Sequence, residues 1–127
     1  MNDYNSRHNR AVWFDIPVVE LERSASFYRA VLAIHMHREQ SQDGPFYVFE
    51  HAGGNGGCLV VRPSDAGRRG PLVYLNVDGR IHDAMRQVQQ WGGTIVEPIR
   101  SIGPHGFRAV ILDTEGNRVA LHSRSDA

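Results

Sequence analysis

The sequence contains no lysine. All 14 of its basic residues are arginine, and 14 acidic residues balance them, so the 127-residue chain carries no formal net charge. Without a side-chain amine, Schiff-base chemistry, pyridoxal phosphate attachment and a phosphate-loop lysine are excluded. Without a basic excess, a nucleic-acid binder would lack the counterion release that drives such association. Cysteine is nearly absent as well. Cys58 stands alone, which rules out an internal disulfide or a thiolate cluster, and it reads as a small buried apolar residue. Long apolar runs are missing too: 58–61 and 109–112 are far too short to cross a bilayer. Residues 1–10 form a polar stretch with the character of neither a signal peptide nor an anchor. A soluble cytoplasmic protein with no membrane or nucleic-acid partner is the expectation.

What is present is a pattern that occurs twice. Residues 1–10 read as a loose tail. A strand is expected over 11–18, with Val12, Phe14, Ile16 and Val18 on one face and Trp13, Asp15 and Pro17 on the other. Pro17 suits a strand end or sheet edge. A helix over 20–32 carries a stripe of Leu21, Ala25, Tyr28, Val31 and Leu32. Strands follow at 34–39, 46–51 and 58–62, the last two joined by a glycine-rich connection that lacks the following helix of a phosphate or dinucleotide loop. After the linker-like residues 63–71 the order repeats. A strand at 72–77 precedes a helix over 81–91, with Ile81, Ala84, Met85, Val88 and Trp91 on its stripe. Three strands then follow at 94–97, 107–112 and 118–122, with a hairpin turn at Asp113-Thr-Glu-Gly-Asn117. The chain thus divides into a first βαβββ module (11–62), a linker, a second module (72–123) and a tail (124–127).

The segments Phe14-Asp-Ile-Pro-Val18, Leu21-Glu-Arg-Ser-Ala-Ser-Phe-Tyr-Arg-Ala-Val-Leu32, Trp91-Gly-Gly93 and the Asp113–Asn117 turn together resemble the vicinal oxygen chelate superfamily. That superfamily includes glyoxalase I, bleomycin- and fosfomycin-resistance proteins and extradiol dioxygenases. The resemblance spans roughly residues 11–123. It implies an α+β fold in which two βαβββ modules form a half-open barrel around a cavity, and a homodimer. Metal-dependent members take ligands from the first and last strands of each module. Carried over position by position, the first-strand slots fall on Trp13 and Leu72. The closing-strand slot of the second module falls on Ala120, and the closing strand of the first, Cys58-Leu-Val-Val61, has no acid. None is a credible donor for a divalent metal, which needs about three protein ligands. No metal and no other cofactor is therefore expected. A further departure is Ala33, where the superfamily commonly has glycine. An alanine resists the left-handed conformation, so the first helix is expected to end differently.

Alternation along the strands selects residues for the concave side. If Phe14 and Ile16 pack under the helices, Trp13 and Asp15 face the hollow. Likewise Ile34 and Met36 face the helices while His35 and His37 face in. Tyr74 and Asn76 share a face with Leu72, and His122 shares one with Ala120. Asp15, His35, His37, Tyr74, Asn76 and His122 are thus expected to line one hollow. Asp15 and His122 are the candidate catalytic bases, and Trp13, His35, His37, Tyr74 and Asn76 the candidate ligand contacts. A relocated metal site on His35, His37 and Asp15 or His122 weighs less than histidines at a wet rim, since parity alone supports it. His8, His51, His82 and His105 read as surface or loop residues, and the Gly/Pro-rich segment at 102–106 as a loop able to border the cavity.

These residues fit a protein that holds a small organic ligand in the cavity without the usual divalent metal. Trp13 and Tyr74 would stack, and Asp15, Asn76 and His122 would supply polarity. An alternative is a glyoxalase-like lyase or isomerase, either metal-dependent through nonstandard ligands or metal-free with Asp15 or His122 as base. A metal-free catalyst of that kind needs donors such as arginine or tyrosine to stabilise an oxyanion; the sequence does not place such a set convincingly, and the binding reading leads. A second alternative is a dimeric protein-interaction module.

Overall fold

The computed structural model describes residues 9–127; most of the N-terminal tail, with His8, lies outside the described residues. The first module runs β1 (Trp13–Val18), α1 (Leu21–Leu32), β2 (Met36–Ser41), β3 (Gly44–Phe49) and β4 (Gly56–Val61). The second runs β5 (Val73–Asn76), α2 (Ile81–Gln90), β6 (Thr94–Ser101), β7 (Phe107–Leu112) and β8 (Arg118–Ser123). Each builds a four-stranded sheet in the order β1-β4-β3-β2 or β5-β8-β7-β6, in which the first strand pairs in parallel with the last. The two sheets do not close into a barrel. Pro17 lies on β1, an edge strand of its sheet, where a missing N–H is tolerated.

Each helix covers one face of its sheet. Leu21, Ala25, Tyr28 and Val31 of α1 and Ile81, Ala84, Met85 and Val88 of α2 are buried, together with Ile16, Val18, Val119 and Leu121 from the strands beneath. The stripe on α1 is broader than its spacing predicts, because Phe27 is also fully buried. The two helices pack together, and Phe27 reaches Gly93 beyond α2. A methyl at Gly93 would sit 2.7 Å from the Phe27 ring and 2.8 Å from the Leu112 carbonyl, so the contact requires glycine. Burial of Phe27 and Tyr28 contributes roughly 2–3 kcal/mol each. Trp91 departs from its expected place on the α2 stripe. The helix ends at Gln90, so Trp91 falls at the cap, 45% exposed, with its indole N–H donating to Gln87.

The end of α1 corrects another expectation. Ala33 does take the left-handed conformation, with φ 56° and ψ 48°. The alanine performs the turn that glycine would, against a cost of about 1–2 kcal/mol for an L-residue there.

Polar groups lock the modules together. The turn between β7 and β8 is more than a hairpin turn, because its side chains reach back about a hundred residues. Glu115 accepts the backbone N–H groups of Val19 (2.8 Å) and Glu20 (2.7 Å) at the start of α1, and Arg23 Nε donates to it at 2.9 Å. The Tyr28 hydroxyl donates to buried Asp113 at 2.6 Å. Asn117 donates to the Pro17 carbonyl at 2.7 Å and accepts from Gly67 N–H in the linker at 3.0 Å. Orphan donors at a helix start are thereby satisfied from the other module.

Candidate functional site

One hollow lies over the concave face of the second sheet. It measures about 550 Å³, within the range of small-molecule sites. Strand register explains its chemistry. Asn76 on β5 pairs with His122 on β8, His122 with Arg108 on β7, and Arg108 with Arg100 on β6. One transverse row therefore carries an amide, an imidazole and two guanidiniums on the same face. The neighbouring row reads Tyr74, Ala120, Val110 and Glu97. Its two central side chains, Ala120 and Val110, are buried.

The polar groups of these rows are interlocked. Arg108, with its side chain only 18% exposed, donates to the Tyr74 hydroxyl and lies 3.4 Å from Glu97. The bond to Tyr74 raises the Arg108 pKa further, burial opposes that, and Glu97 adds to the rise. Because the Tyr74 oxygen accepts from Arg108, its own proton remains available to a ligand. The guanidinium also lies over the Tyr74 ring, 5.8 Å from its centre. His122 Nε2 stands 2.6 Å from the carbonyl oxygen of His105. A carbonyl only accepts, so Nε2 carries the proton and Nδ1 is the nitrogen left to act as base.

The 102–106 segment forms the rim through Ile102 and His105. Gly106 holds it there with φ 100° and ψ −135°, and an added Cβ would lie 2.5 Å from the Ser123 carbonyl. Only glycine permits both that conformation and that approach.

Of the residues singled out by alternation, Tyr74, Asn76 and His122 come together in this hollow. The others lie elsewhere. Asp15 belongs to a separate depression of about 230 Å³ with Cys58 and Arg62. Its side chain is 42% exposed, accepts from the Cys58 thiol at 3.1 Å and lies 3.9 Å from Arg62. Burial pushes the Cys58 thiol up to about 11, and the bond to Asp15 adds to the rise. It is therefore a protonated donor rather than a nucleophile. Trp13 meets His51 edge-on at 5.7 Å and lines a third depression with Leu72, Val73 and Tyr74, so Tyr74 borders both. His37 lies in the row of Asp15, reached through Val48 and Cys58, on the far edge strand β2, and His35 just precedes that strand; both are exposed, their rings 6.5 Å apart. The six residues are not gathered in any one of these hollows. Among the described residues no three His, Cys, Asp or Glu side chains gather as metal ligands.

Alternation missed three members of the site. Arg108 alternates with Val110 along β7, so parity within that strand could have found it. Arg100 and Glu97 could not be found this way. β6 breaks register between Ile95 and Glu97 and again between Glu97 and Arg100, and each break resets which face a residue takes.

Residues 10–121 match the Glyoxalase/Bleomycin resistance protein/Dioxygenase superfamily. The chain belongs to that superfamily. Its relatives include a glyoxylase-like domain-containing protein from Didymella fabae, 26% identical, with 92% of this chain and 95% of that one covered. The fold resembles that of a glyoxalase/bleomycin resistance protein from Albidiferax ferrireducens T118 (TM-score 0.71, 19% identity, 91% and 100% of the chains). It also resembles TnmS3, an antibiotic binding protein from Streptomyces sp. CB03234 (TM-score 0.67, 20% identity, 91% and 98%). The superfamily's metal positions can now be set in register. Tyr74 pairs with Ala120 on the second sheet as Asp15 pairs with Cys58 on the first. The four positions are therefore Trp13, Cys58, Leu72 and Ala120. An indole, a protonated thiol, an isobutyl and a methyl group do not fit a divalent cation.

Proposed function

We propose that this superfamily member binds a small organic ligand in the hollow of its second module, without a divalent metal at the superfamily's shared position. The observation that carries this reading is the in-register row of Asn76, His122, Arg108 and Arg100 beside Tyr74. It offers convergent polar groups against apolar surface from Ile102 and the Tyr74 ring, the usual make-up of a small-molecule site. TnmS3, described as an antibiotic binding protein, provides a precedent on the same fold. The protein is proposed to work as a cytoplasmic homodimer, which sedimentation in dilute solution reads directly.

The test combines metal analysis of protein purified without chelators with a thermal-shift screen of small metabolites and metals. Substoichiometric metal, together with metabolite stabilisation that chelator leaves intact, is the expected result. About one tightly held metal per chain, whose removal abolishes that stabilisation, overturns it.

One observation favours a second reading, a metal-free lyase or isomerase. Arg108 and Tyr74 supply the oxyanion donors such a reaction needs, and His122 Nδ1 stands as the base. In such a reaction His122 would take a carbon-bound proton while the Tyr74 O–H and Arg108 held the resulting enolate oxygen. Exchange of that proton into deuterated water, lost in Tyr74→Phe, would support catalysis. No exchange with any hydroxy-carbonyl compound that binds leaves binding as the function.

A further inference from the structure

Arg100 and Arg108 occupy directly paired positions on neighbouring strands, where like charges repel. The carboxylate that both reach is Glu97, at 3.5 Å from Arg100 Nε and 3.4 Å from Arg108 Nη2. Two positive charges against one negative leave a single positive charge uncompensated on the floor of the hollow. The Arg108 Nε is buried without a hydrogen-bond partner. The Tyr74 proton adds a donor aimed at the same space. Acceptors are scarce there: Asn76 Oδ1 is already engaged by the Asp78 N–H at 2.8 Å, and Glu97 is committed to the arginines. A cavity rich in donors and short of acceptors is complementary to an anion.

Resting on the cavity reading above, we infer that the ligand is a small organic acid, whose carboxylate docks on Arg108 and the Tyr74 hydroxyl while its apolar body lies against Ile102 and the edge of the Tyr74 ring. One uncompensated charge matches a monoanion better than a phosphate dianion. A guanidinium presents paired donors at the spacing of a carboxylate's oxygens. The pocket's volume of about 550 Å³ accommodates a bicyclic or comparably branched body.

The test uses 2-naphthoate, its neutral isostere 2-naphthamide, and inorganic phosphate, each titrated into the full-length protein and followed by backbone-amide chemical shifts. The expected result is that 2-naphthoate perturbs the amides of Tyr74, Arg108 and His122 and binds at least about tenfold more tightly than 2-naphthamide, with phosphate weaker than 2-naphthoate. Raising the salt concentration should weaken 2-naphthoate selectively. Arg108→Gln should abolish the preference for the acid, and Glu97→Gln, which removes the compensating charge, should strengthen it severalfold. The opposite signs of these two variants separate the proposal from a general loss of folding, which would weaken both. Equal binding of acid and amide at these amides overturns the anion inference and leaves the cavity reading standing. Tighter binding of phosphate than of 2-naphthoate overturns the carboxylate assignment. Shifts confined to the Asp15 depression, or no shifts with any probe, overturn both readings.

Discussion

The bond set around Glu115 makes a prediction that can be worked through. Burial raises the pKa of this carboxyl, but hydrogen bonds from Arg23, Thr114 and the Glu20 and Val19 N–H groups together outweigh it and hold the group at about 2, against an ordinary 4.5. By proton linkage that displacement corresponds to about 3 kcal/mol in favour of the folded state. Arg23 is half exposed, at 47%, and solvent screening lowers its share, so about 2–3 kcal/mol is the working figure. Glu115→Gln keeps the shape and one acceptor oxygen for the backbone N–H groups. It removes the charge and turns an NH2 group toward Arg23 Nε and Thr114. The variant should therefore be about 2–3 kcal/mol less stable than the parent at pH 7 in urea denaturation. The sign with pH is fixed by the depressed pKa. The parent's advantage is complete above the unfolded value of about 4.5 and is lost as pH falls toward the folded value of about 2. Glutamine does not titrate, so the gap between the two proteins should shrink by more than half between pH 7 and pH 3. A gap that stays constant across this range would refute the view that a charged cap joins the modules.

Two further substitutions test backbone conformation. Ala33→Gly relieves the left-handed strain at the end of α1 and, after the entropy that glycine costs the folded state, should raise stability by about 0.5–1 kcal/mol in the same denaturation assay. Gly106→Ala forces a Cβ to 2.5 Å from the Ser123 carbonyl. It should lower stability by about 2–3 kcal/mol, and the amide shifts of Ile102, His105 and His122 should move because the rim is displaced.

The repeat was legible because it rests on local periodicity. The stripes of α1 and α2, each preceded by one strand and followed by three, recur in the same order, and they carry a fold that the structure reproduces. Element ends were less legible where they depend on single caps, as at Trp91, or on a conformation alanine rarely adopts, as at Ala33. The site was half legible. Parity placed Tyr74, Asn76 and His122 toward a concave surface but could not show which residues share one hollow. It therefore grouped them with Asp15, His35 and His37. Arg100 and Glu97 were hidden by the two register breaks in β6. The roles of Asp113, Glu115 and Asn117 were hidden by distance in the chain, since their partners lie 85 to 100 residues away.

The duplication supports placing the proposed site in the second module. Two equivalent concave surfaces began with the same register, and their centres now differ in chemistry. On the first sheet, the Asp15–Cys58 pair is internally satisfied: thiol donates to carboxylate, and Arg62 stands 3.9 Å away. That surface has little left to offer a ligand. On the second, the Tyr74–Ala120 pair leaves a hydroxyl proton on one side and only a buried methyl group on the other. Two arginines behind it share one carboxylate. A chain whose charges cancel overall thus carries an uncompensated positive charge inside its larger hollow. Net composition could not reveal that imbalance, because it arises from which strands lie side by side. It is also the feature that a metal-free member of this fold would need, since a guanidinium and a phenol can hold the oxygen that a divalent cation holds in metal-dependent members.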